Sequence, residues 1–142
     1  MTDTTRRTFL RTTACMACVM AAPACGGGDL GPVDGGRVED YANGVLKYVG
    51  DGVAVGKDEE GLYAISTICT HQDCDIGEDG TLTQDLITCG CHGSQFGFDG
   101  SVITGPAQDP LDFYEISIGD FGEVTVHTDR SADPSTRVSV EE

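Results

Sequence analysis

The chain has 142 residues, 39% of them hydrophobic and 6% aromatic, without a tryptophan, so it has room for one small domain with a modest core. Eight lysines and arginines stand against 24 aspartates and glutamates, and this net charge of −16 excludes a protein that binds nucleic-acid phosphates. Its 20 glycines favour tight turns, and therefore a loop-rich β domain over a helical bundle.

The first 24 residues have the order of an export signal. A basic segment that contains Arg6 and Arg7 is followed, over residues 14–24, by an apolar stretch that ends in small residues, which is typical of a secretory signal. The arginine pair resembles the twin-arginine type of signal. The apolar stretch is shorter than the about 20 residues that a membrane-spanning helix needs. We therefore expect residues 1–24 to be a twin-arginine-type signal peptide and the protein to be exported to the periplasm.

Cys25 lies between these small residues and a glycine-rich segment, and two interpretations are open. The surroundings resemble a lipoprotein cleavage site, although Ala22 stands where Leu or Val is usual. Ordinary signal cleavage just before Cys25 fits the small residues equally well. A single exported cysteine otherwise needs a partner, so we favour lipidation of Cys25, with the protein anchored on the outer side of the cytoplasmic membrane.

The rest of the chain divides into three parts: a glycine-rich linker over residues 25–37, one domain over residues 38–128, and a polar tail over residues 129–142 that we expect to be disordered. In the domain, short runs of β-favouring residues are separated by glycine and aspartate turns, and no window keeps a helical period. The pattern predicts an all-β domain of about eight to ten short strands, built as a small antiparallel sandwich or open barrel.

Two short segments carry cysteine together with histidine. The first is Cys69-Thr70-His71 and the second is Cys89-Gly90-Cys91-His92. Zinc fingers group two cysteines in one half and two histidines in the other, whereas here each half offers one of each. This mixture suits a binuclear iron centre in which one iron takes two thiolates and the other takes two imidazoles. A structural zinc site, a disulfide-only role and a thiol-redox role are the alternatives, although the last lacks the usual C-x-x-C spacing.

The paired motif resembles that of the Rieske [2Fe-2S] proteins, over about residues 38–128. The resemblance implies one [2Fe-2S] cluster per chain, two loops that bind it, and four ligands: Cys69, His71, Cys89 and His92. It places the two cysteines on the inner iron and the two histidines on the outer iron. Cys74 and Cys91 match the pair that forms a disulfide between the cluster loops in the branch of quinol–cytochrome c reductases and arsenite-oxidase small subunits.

The same resemblance suggests how the cluster is tuned. Ser94 matches a serine whose hydroxyl donates to a bridging sulfide, and Pro106 matches the proline loop that covers the cluster. Phe96 stands where high-potential relatives carry a tyrosine, so one hydrogen-bond donor is missing and the potential should be lower. Gln72 and Asp73 replace the Leu and Gly of cytochrome bc subunits, which makes the tip more polar and leaves docking into a quinol pocket less well supported.

We therefore predict an exported one-electron carrier, the small subunit of a respiratory or oxidase complex and not an enzyme by itself. Its partner would be a cytochrome or the large subunit of an oxidase, together with a quinol if the complex oxidises one, and any membrane contact would be through a lipid anchor at Cys25. The alternatives are a structural zinc-binding module and a Rieske ferredoxin that feeds an oxygenase, against which Cys74 and Cys91 argue. His127 lies outside both motifs and is interpreted as a surface residue of a strand.

Overall fold

The computed structural model describes residues 31–140 and is nearly all β within that range. The strands are β1 Val33–Arg37, β2 Val45–Gly50, β3 Val53–Lys57, β4 Leu62–Ser66, β5 Thr81–Leu82, β6 Ile87–Thr88, β7 Gln95–Phe96, β8 Val102–Thr104, β9 Phe113–Ile118 and β10 Glu123–Ala132. One short helix, α1, spans Ile76–Asp79, and a single 3₁₀ turn spans Val38–Asp40. The predicted all-β fold class is confirmed. Among the described residues no helix is long and apolar enough to cross a membrane.

The strands form two antiparallel sheets of unequal size. The large sheet has the order β1-β10-β9-β4-β3-β2, and the small sheet has the order β5-β6-β7-β8. The small sheet and α1 are inserted between β4 and β9, which pair through Ala64 with Tyr114 and through Ile65 with Phe113. Both ends of the insertion are therefore anchored on neighbouring strands of the large sheet.

Hydrophobic side chains are buried on both faces of the large sheet. All five positions of β4 are buried, with Tyr63 and Ile65 in one core cluster and Leu62 and Ala64 in the other. This division follows from the two-residue period of a strand, which sends alternate side chains to opposite faces. The first cluster also contains Phe96 of the small sheet, so this core joins the two sheets. The second cluster contains residues of β1, β3, β4 and β10, so it lies within the large sheet.

The turn between β2 and β3 is one of the glycine and aspartate turns expected between the strands. Its turn is Asp51-Gly52, with φ angles of +50° and +72°, which is the left-handed pair that a two-residue turn of type I′ needs. Gly50 pairs with Val53 across the turn. The turn lies at the end of the sheet where β4 leads into the insertion, since Val53 also pairs with Ser66.

The structure corrects the predicted boundaries at both ends of the domain. Part of the predicted linker is β1, in which Val33 pairs with Val126 and is buried. Part of the predicted disordered tail is ordered: β10 continues to Ala132, and Val138 forms a bridge with Leu62. Both segments are held by distant partners, which local composition does not reveal. The predicted signal peptide and Cys25 lie outside the described residues.

Candidate metal centre

Two loops of the insertion carry the cysteine and histidine motifs. Loop 1, residues 69–74, follows β4, and loop 2, residues 89–94, follows β6. In each loop the amide of the first cysteine donates to the carbonyl five residues later, at 2.8 Å in both cases. The amide four residues after the cysteine donates back to the cysteine carbonyl, at 2.9 Å in loop 1 and 3.0 Å in loop 2. The same backbone turn is therefore used twice, and its two hydrogen bonds close each loop.

Each turn has a left-handed residue at the same position. Gly93 has φ +79° in loop 2, and Asp73 has φ +56° in loop 1. Glycine adopts this conformation at no steric cost, and aspartate is one of the few other residues that tolerate it. The Asp73 substitution noted in the sequence therefore preserves the turn while adding a carboxylate to its tip.

A disulfide between Cys74 and Cys91 joins the two loops, as the family resemblance implies. The sulfurs of Cys74, Cys89 and Cys91 all lie within 4.8 Å of one another. Two of the three are bonded to each other and no longer offer a thiolate, so within this group only Cys89 remains available to a metal.

Cys69 and Cys89 are the free cysteines of the described chain, and each side chain is 1% exposed. Burial raises the pKa of the Cys69 thiol, and the neighbouring Cys89 thiol adds to the rise, while hydrogen bonds from the His71 amide and Ser94 oppose it. The thiol is therefore protonated in the chain without a metal. A metal that binds the Cys69 sulfur as a thiolate must displace the proton of the thiol.

The imidazole rings of the two motif histidines lie next to each other. The ring centres of His71 and His92 are 4.8 Å apart, with the ring planes at 81°. Among the described residues, Nδ1 of His71 is the buried side-chain nitrogen or oxygen without a hydrogen-bond partner. An unpaired buried polar atom is costly, and a metal ligated through Nδ1 would remove that cost. This orphaned nitrogen, beside two buried thiols, fits a centre with mixed cysteine and histidine ligands.

The predicted tuning residues all lie near these loops. Ser94 is fully buried, and its Oγ accepts a hydrogen bond from the Ala107 amide at 3.0 Å. The Ala107 amide occupies one lone pair of this oxygen, so the hydrogen of the Ser94 hydroxyl is still available to a sulfur. The hydrogen bond between Ser94 and Cys69 is consistent with this. Phe96 is fully buried in the same core cluster as the two free cysteines. Pro106 is exposed, on a segment that the Ser94 bond fastens to loop 2.

The segment over residues 105–110 is fastened to loop 1 as well. The hydroxyl of Thr70 donates to the carbonyl of Asp109 at 2.7 Å. Together with the bond between Ser94 and Ala107, this contact ties one segment to both loops. The two hydrogen bonds therefore connect the segment that contains Pro106 to both motif loops.

A polar network beneath loop 1 was missed in the sequence. Asp75 directly follows the disulfide cysteine and accepts hydrogen bonds from the Tyr48 hydroxyl and the Thr67 hydroxyl, both at 2.6 Å. It also caps α1 by accepting from the Gly77 amide at 2.9 Å. The bond to Asp75 raises the pKa of Tyr48 to about 12. A carboxylate that caps a helix is readable from sequence, but Tyr48 comes from β2 and no local pattern connects the two.

The third histidine is not part of the site. His127 lies on β10, where its Nε2 is 2.8 Å from the Ser117 hydroxyl of β9. Both residues belong to the large sheet and not to the insertion. The structure therefore agrees with the interpretation of His127 as a residue of a strand outside the site.

Comparison with known proteins identifies the family. The model of the Rieske [2Fe-2S] domain matches residues 33–115. Similar curated proteins include the cytochrome b6-f complex iron-sulfur subunits of Chlorobaculum tepidum, 36% identical over 94 residues, and of Synechococcus sp. (strain CC9605), 35% identical over 66 residues. The first match covers 64% of this chain and 50% of the relative, and the second covers 46% and 36%. The chain thus spans half or less of the length of these relatives.

Solved structures agree on the fold. A chain in the complex of reduced oxygenase and oxidized ferredoxin in carbazole 1,9a-dioxygenase superposes with a TM-score of 0.54 at 28% identity, and the match covers 72% of this chain and 97% of that one. The ferredoxin of carbazole 1,9a-dioxygenase from Nocardioides aromaticivorans IC177 superposes with a TM-score of 0.50 at 24% identity, over 68% of this chain and 97% of that one. The protein belongs to the Rieske [2Fe-2S] domain family and is an electron carrier built around a [2Fe-2S] cluster.

Proposed function

We propose that Cys69 and Cys89 bind one iron of the cluster and that His71 and His92 bind the other. The observation that carries this assignment is the convergence of two buried free thiols and two facing imidazoles on loops joined by a disulfide. The zinc-module and disulfide-only alternatives lose their support with the family assignment.

Burial separates the roles of the four ligands. The two cysteines are 1% exposed, so the iron that they hold lies on the protein side. His92 is exposed and His71 is half-buried, so the iron that they hold lies toward the solvent, where a partner can approach. The cluster supplies a site that accepts and donates one electron, and imidazole ligands raise its potential above that of clusters with four thiolates.

We further propose that the protein is exported and works as the small subunit of a respiratory or oxidase complex. Its similarity to cytochrome b6-f iron-sulfur subunits supports a place in such a complex. The disulfide supports an oxidising compartment, and the amino-terminal sequence supports export. If Cys25 is lipidated, the seven residues between it and Val33 hold the domain within about 29 Å of the membrane, since eight Cα-to-Cα steps span at most about 3.6 Å each.

A Rieske ferredoxin that serves an oxygenase is the second candidate. It is favoured by the superposition on a chain from the carbazole 1,9a-dioxygenase complex at 28% identity. The Cys74–Cys91 disulfide favours the first candidate, since ferredoxin-type relatives typically lack that pair. The two candidates share the same ligands and differ in the partner that receives the electron.

Metal analysis and spectroscopy of the purified holoprotein test the ligand assignment. We expect about two irons and two acid-labile sulfides per chain, together with the visible absorption and electron paramagnetic resonance spectrum of a Rieske cluster. Cys69→Ser and His71→Ala should each abolish that spectrum, whereas His127→Ala, which removes the histidine outside the site, should preserve it. A Rieske spectrum that survives His71→Ala, or a colourless protein with one zinc, would contradict the assignment.

Cell fractionation tests the proposed location. The full chain is expressed beside a variant in which Arg6 and Arg7 are both changed to lysine, which preserves the charge of the signal. We expect the natural chain in the membrane or periplasmic fraction and the variant in the cytoplasm. Cytoplasmic accumulation of both chains would contradict export.

A further inference from the structure

The charge of this protein is distributed very unevenly around the cluster. Residues 58–129 contain 15 acidic residues and no lysine or arginine, and this stretch includes both cluster loops and the small sheet. The basic side chains of the described residues lie on strands of the large sheet or on the carboxyl-terminal segment: Arg37, Lys47, Lys57, Arg130 and Arg137. The insertion between β4 and β9, residues 67–112, holds eight of these acidic residues and no lysine or arginine.

Three residues with exposed carboxylates belong to the loops or contact them through their backbone, and we call them the acidic collar. Asp73 is the left-handed residue of loop 1, and the carbonyl of Asp109 accepts the hydrogen bond from loop 1. The carbonyl of Asp79 lies so close to Gly90 of loop 2 that it leaves no room for a Cβ there. None of the three takes part in an ion pair with another described residue. Their charges are therefore available to a partner.

An exposed apolar residue precedes the segment that is tied to both loops. Ile103 of β8 is 57% exposed. Gln95 pairs with Thr104 and Phe96 pairs with Val102, so Ile103 is the additional residue of a β-bulge. Bulges re-aim side chains and occur often beside functional sites. The segment over residues 105–110, which is hydrogen-bonded to both cluster loops, begins two residues after Ile103.

We propose that the cluster end docks a redox protein whose contact face is rich in lysine and arginine around a small apolar centre. The proposal rests on the proposed function in electron transfer and adds the chemistry of the partner. Opposite charges steer two proteins together and exclude partners of like charge. The exposed side chain of Ile103 adds an apolar contact without the large hydrophobic area of a permanent interface.

The test uses mitochondrial cytochrome c, a lysine-rich haem protein, and its succinylated form, in which lysine charges are reversed. The cluster of the protein is first reduced, and stopped-flow absorption then follows the transfer of one electron from the cluster to the ferric haem, which becomes ferrous; no bond forms or breaks. Between about 10 and 500 mM salt we expect the second-order rate constant with cytochrome c to fall at least about tenfold. Succinylated cytochrome c should react at least about tenfold more slowly at low salt, and faster as salt is added.

Matched variants locate the charges that matter. The collar variant changes Asp73, Asp79 and Asp109 to asparagine, which tolerates the left-handed conformation at position 73. The control variant changes Glu59→Gln, Glu60→Gln and Asp120→Asn, the same change of charge in turns at the opposite end of the large sheet. We expect the collar variant to lose at least about fivefold of the low-salt rate constant and the control variant less than about twofold.

The apolar contact has its own variant. Ile103→Thr should lower the rate constant at high salt while leaving the steepness of its salt dependence unchanged, because it removes no charge. A rate constant that does not respond to salt, or equal losses in the collar and control variants, would overturn the docking proposal. Voltammetry of the same samples keeps the two proposals apart. If the cluster gives a normal electrode response but its electron transfer to cytochrome c does not respond to salt, only the docking proposal is contradicted. If the protein gives no electrode response from a cluster, the proposed function is contradicted.

Discussion

Replacing Ser94 with alanine should weaken both the fold and the affinity of the cluster for its electron. The Ser94 hydroxyl is fully buried and accepts the Ala107 amide at 3.0 Å, while Ala107 itself is 4% exposed. Ser94→Ala leaves that amide buried without a partner, which costs about 1–3 kcal/mol. For a domain of this size, about 1 kcal/mol lowers the melting temperature by about 4 °C, so we expect a fall of about 4–12 °C. If the Ser94 hydroxyl donates to a cluster sulfur, as the family resemblance implies, its loss also destabilises the reduced, more negative state, so the reduction potential should fall.

Ser101→Ala is the matched control. The Ser101 hydroxyl is exposed and donates to the Asp99 carboxylate at 2.6 Å, and it belongs to the turn between β7 and β8, away from the cluster loops. Melting curves at one scan rate and protein-film voltammetry at one pH compare the two variants with the natural chain. We expect Ser101→Ala to change the melting temperature by less than about 2 °C and to leave the potential unchanged. An unchanged potential in Ser94→Ala would refute the donor role, and an unchanged melting temperature would refute the cost assigned to the orphaned amide.

Three further predictions use other parts of the structure. Phe96→Tyr should raise the reduction potential if the new hydroxyl reaches a ligand sulfur; an unchanged potential with a lower melting temperature would mean that the fully buried ring serves only as core. Replacing Cys74 and Cys91 with alanine should cost about 3 kcal/mol of unfolding free energy, because the disulfide closes a loop with a separation of 17 residues; a urea titration that shows no loss would contradict this. Burial raises the pKa of Asp58, but the hydrogen bond from Arg137, the amides of Glu60 and Gly61 and the arginine charge together outweigh burial and hold that pKa below its ordinary value. The carboxylate therefore contributes stability above its unfolded pKa, which is lost as the pH falls through the lower folded pKa. Asp58→Asn should cost about 1 kcal/mol at pH 7 and almost nothing near pH 2, and an equal cost at both values would contradict the assignment.

The ordered carboxyl-terminal segment explains why that ion pair is worth testing. Arg137 donates to Asp58 at 2.5 Å, with the arginine side chain 9% exposed, and its guanidinium lies 4.2 Å from the centre of the Tyr63 ring. Val138 then pairs with Leu62. A polar segment without a strand pattern is thus held against β4 by one arginine and one bridge, at the opposite end of β4 from loop 1.

The metal centre could be predicted from the sequence because its candidate ligands lie close together in two short segments. The motifs of loops 1 and 2 each place a cysteine and a histidine within one turn, and a turn is specified by residues that are neighbours in the chain. Asp73 and Gly93 are the two residues whose backbone conformation the repeated turn requires. The hairpin at Asp51-Gly52 was predictable for the same reason, since aspartate-glycine pairs favour the left-handed turn that joins two strands.

The features that the sequence did not predict depend on distant partners. β1 is a glycine-containing segment whose only strong signal is Val33, and it becomes a strand because β10 offers it hydrogen bonds. The network that holds Asp75 reaches back 27 residues to Tyr48. Neither contact has a local pattern, because the energy that orders these segments comes from burial and pairing across the fold.

By itself, the sequence determined the cluster type, the four candidate ligands and the strand character of the domain, because metal coordination and alternating burial require particular residue types at short, regular spacings. Tertiary structure alone decided that Nδ1 of His71 is buried without a partner, that one segment is tied to both loops, and that Asp73, Asp79 and Asp109 form no ion pair with another described residue. These features join residues from separate strands and loops. Their proximity exists only after the insertion between β4 and β9 has folded against the large sheet, because burial and through-space charge depend on distance and not on order in the chain.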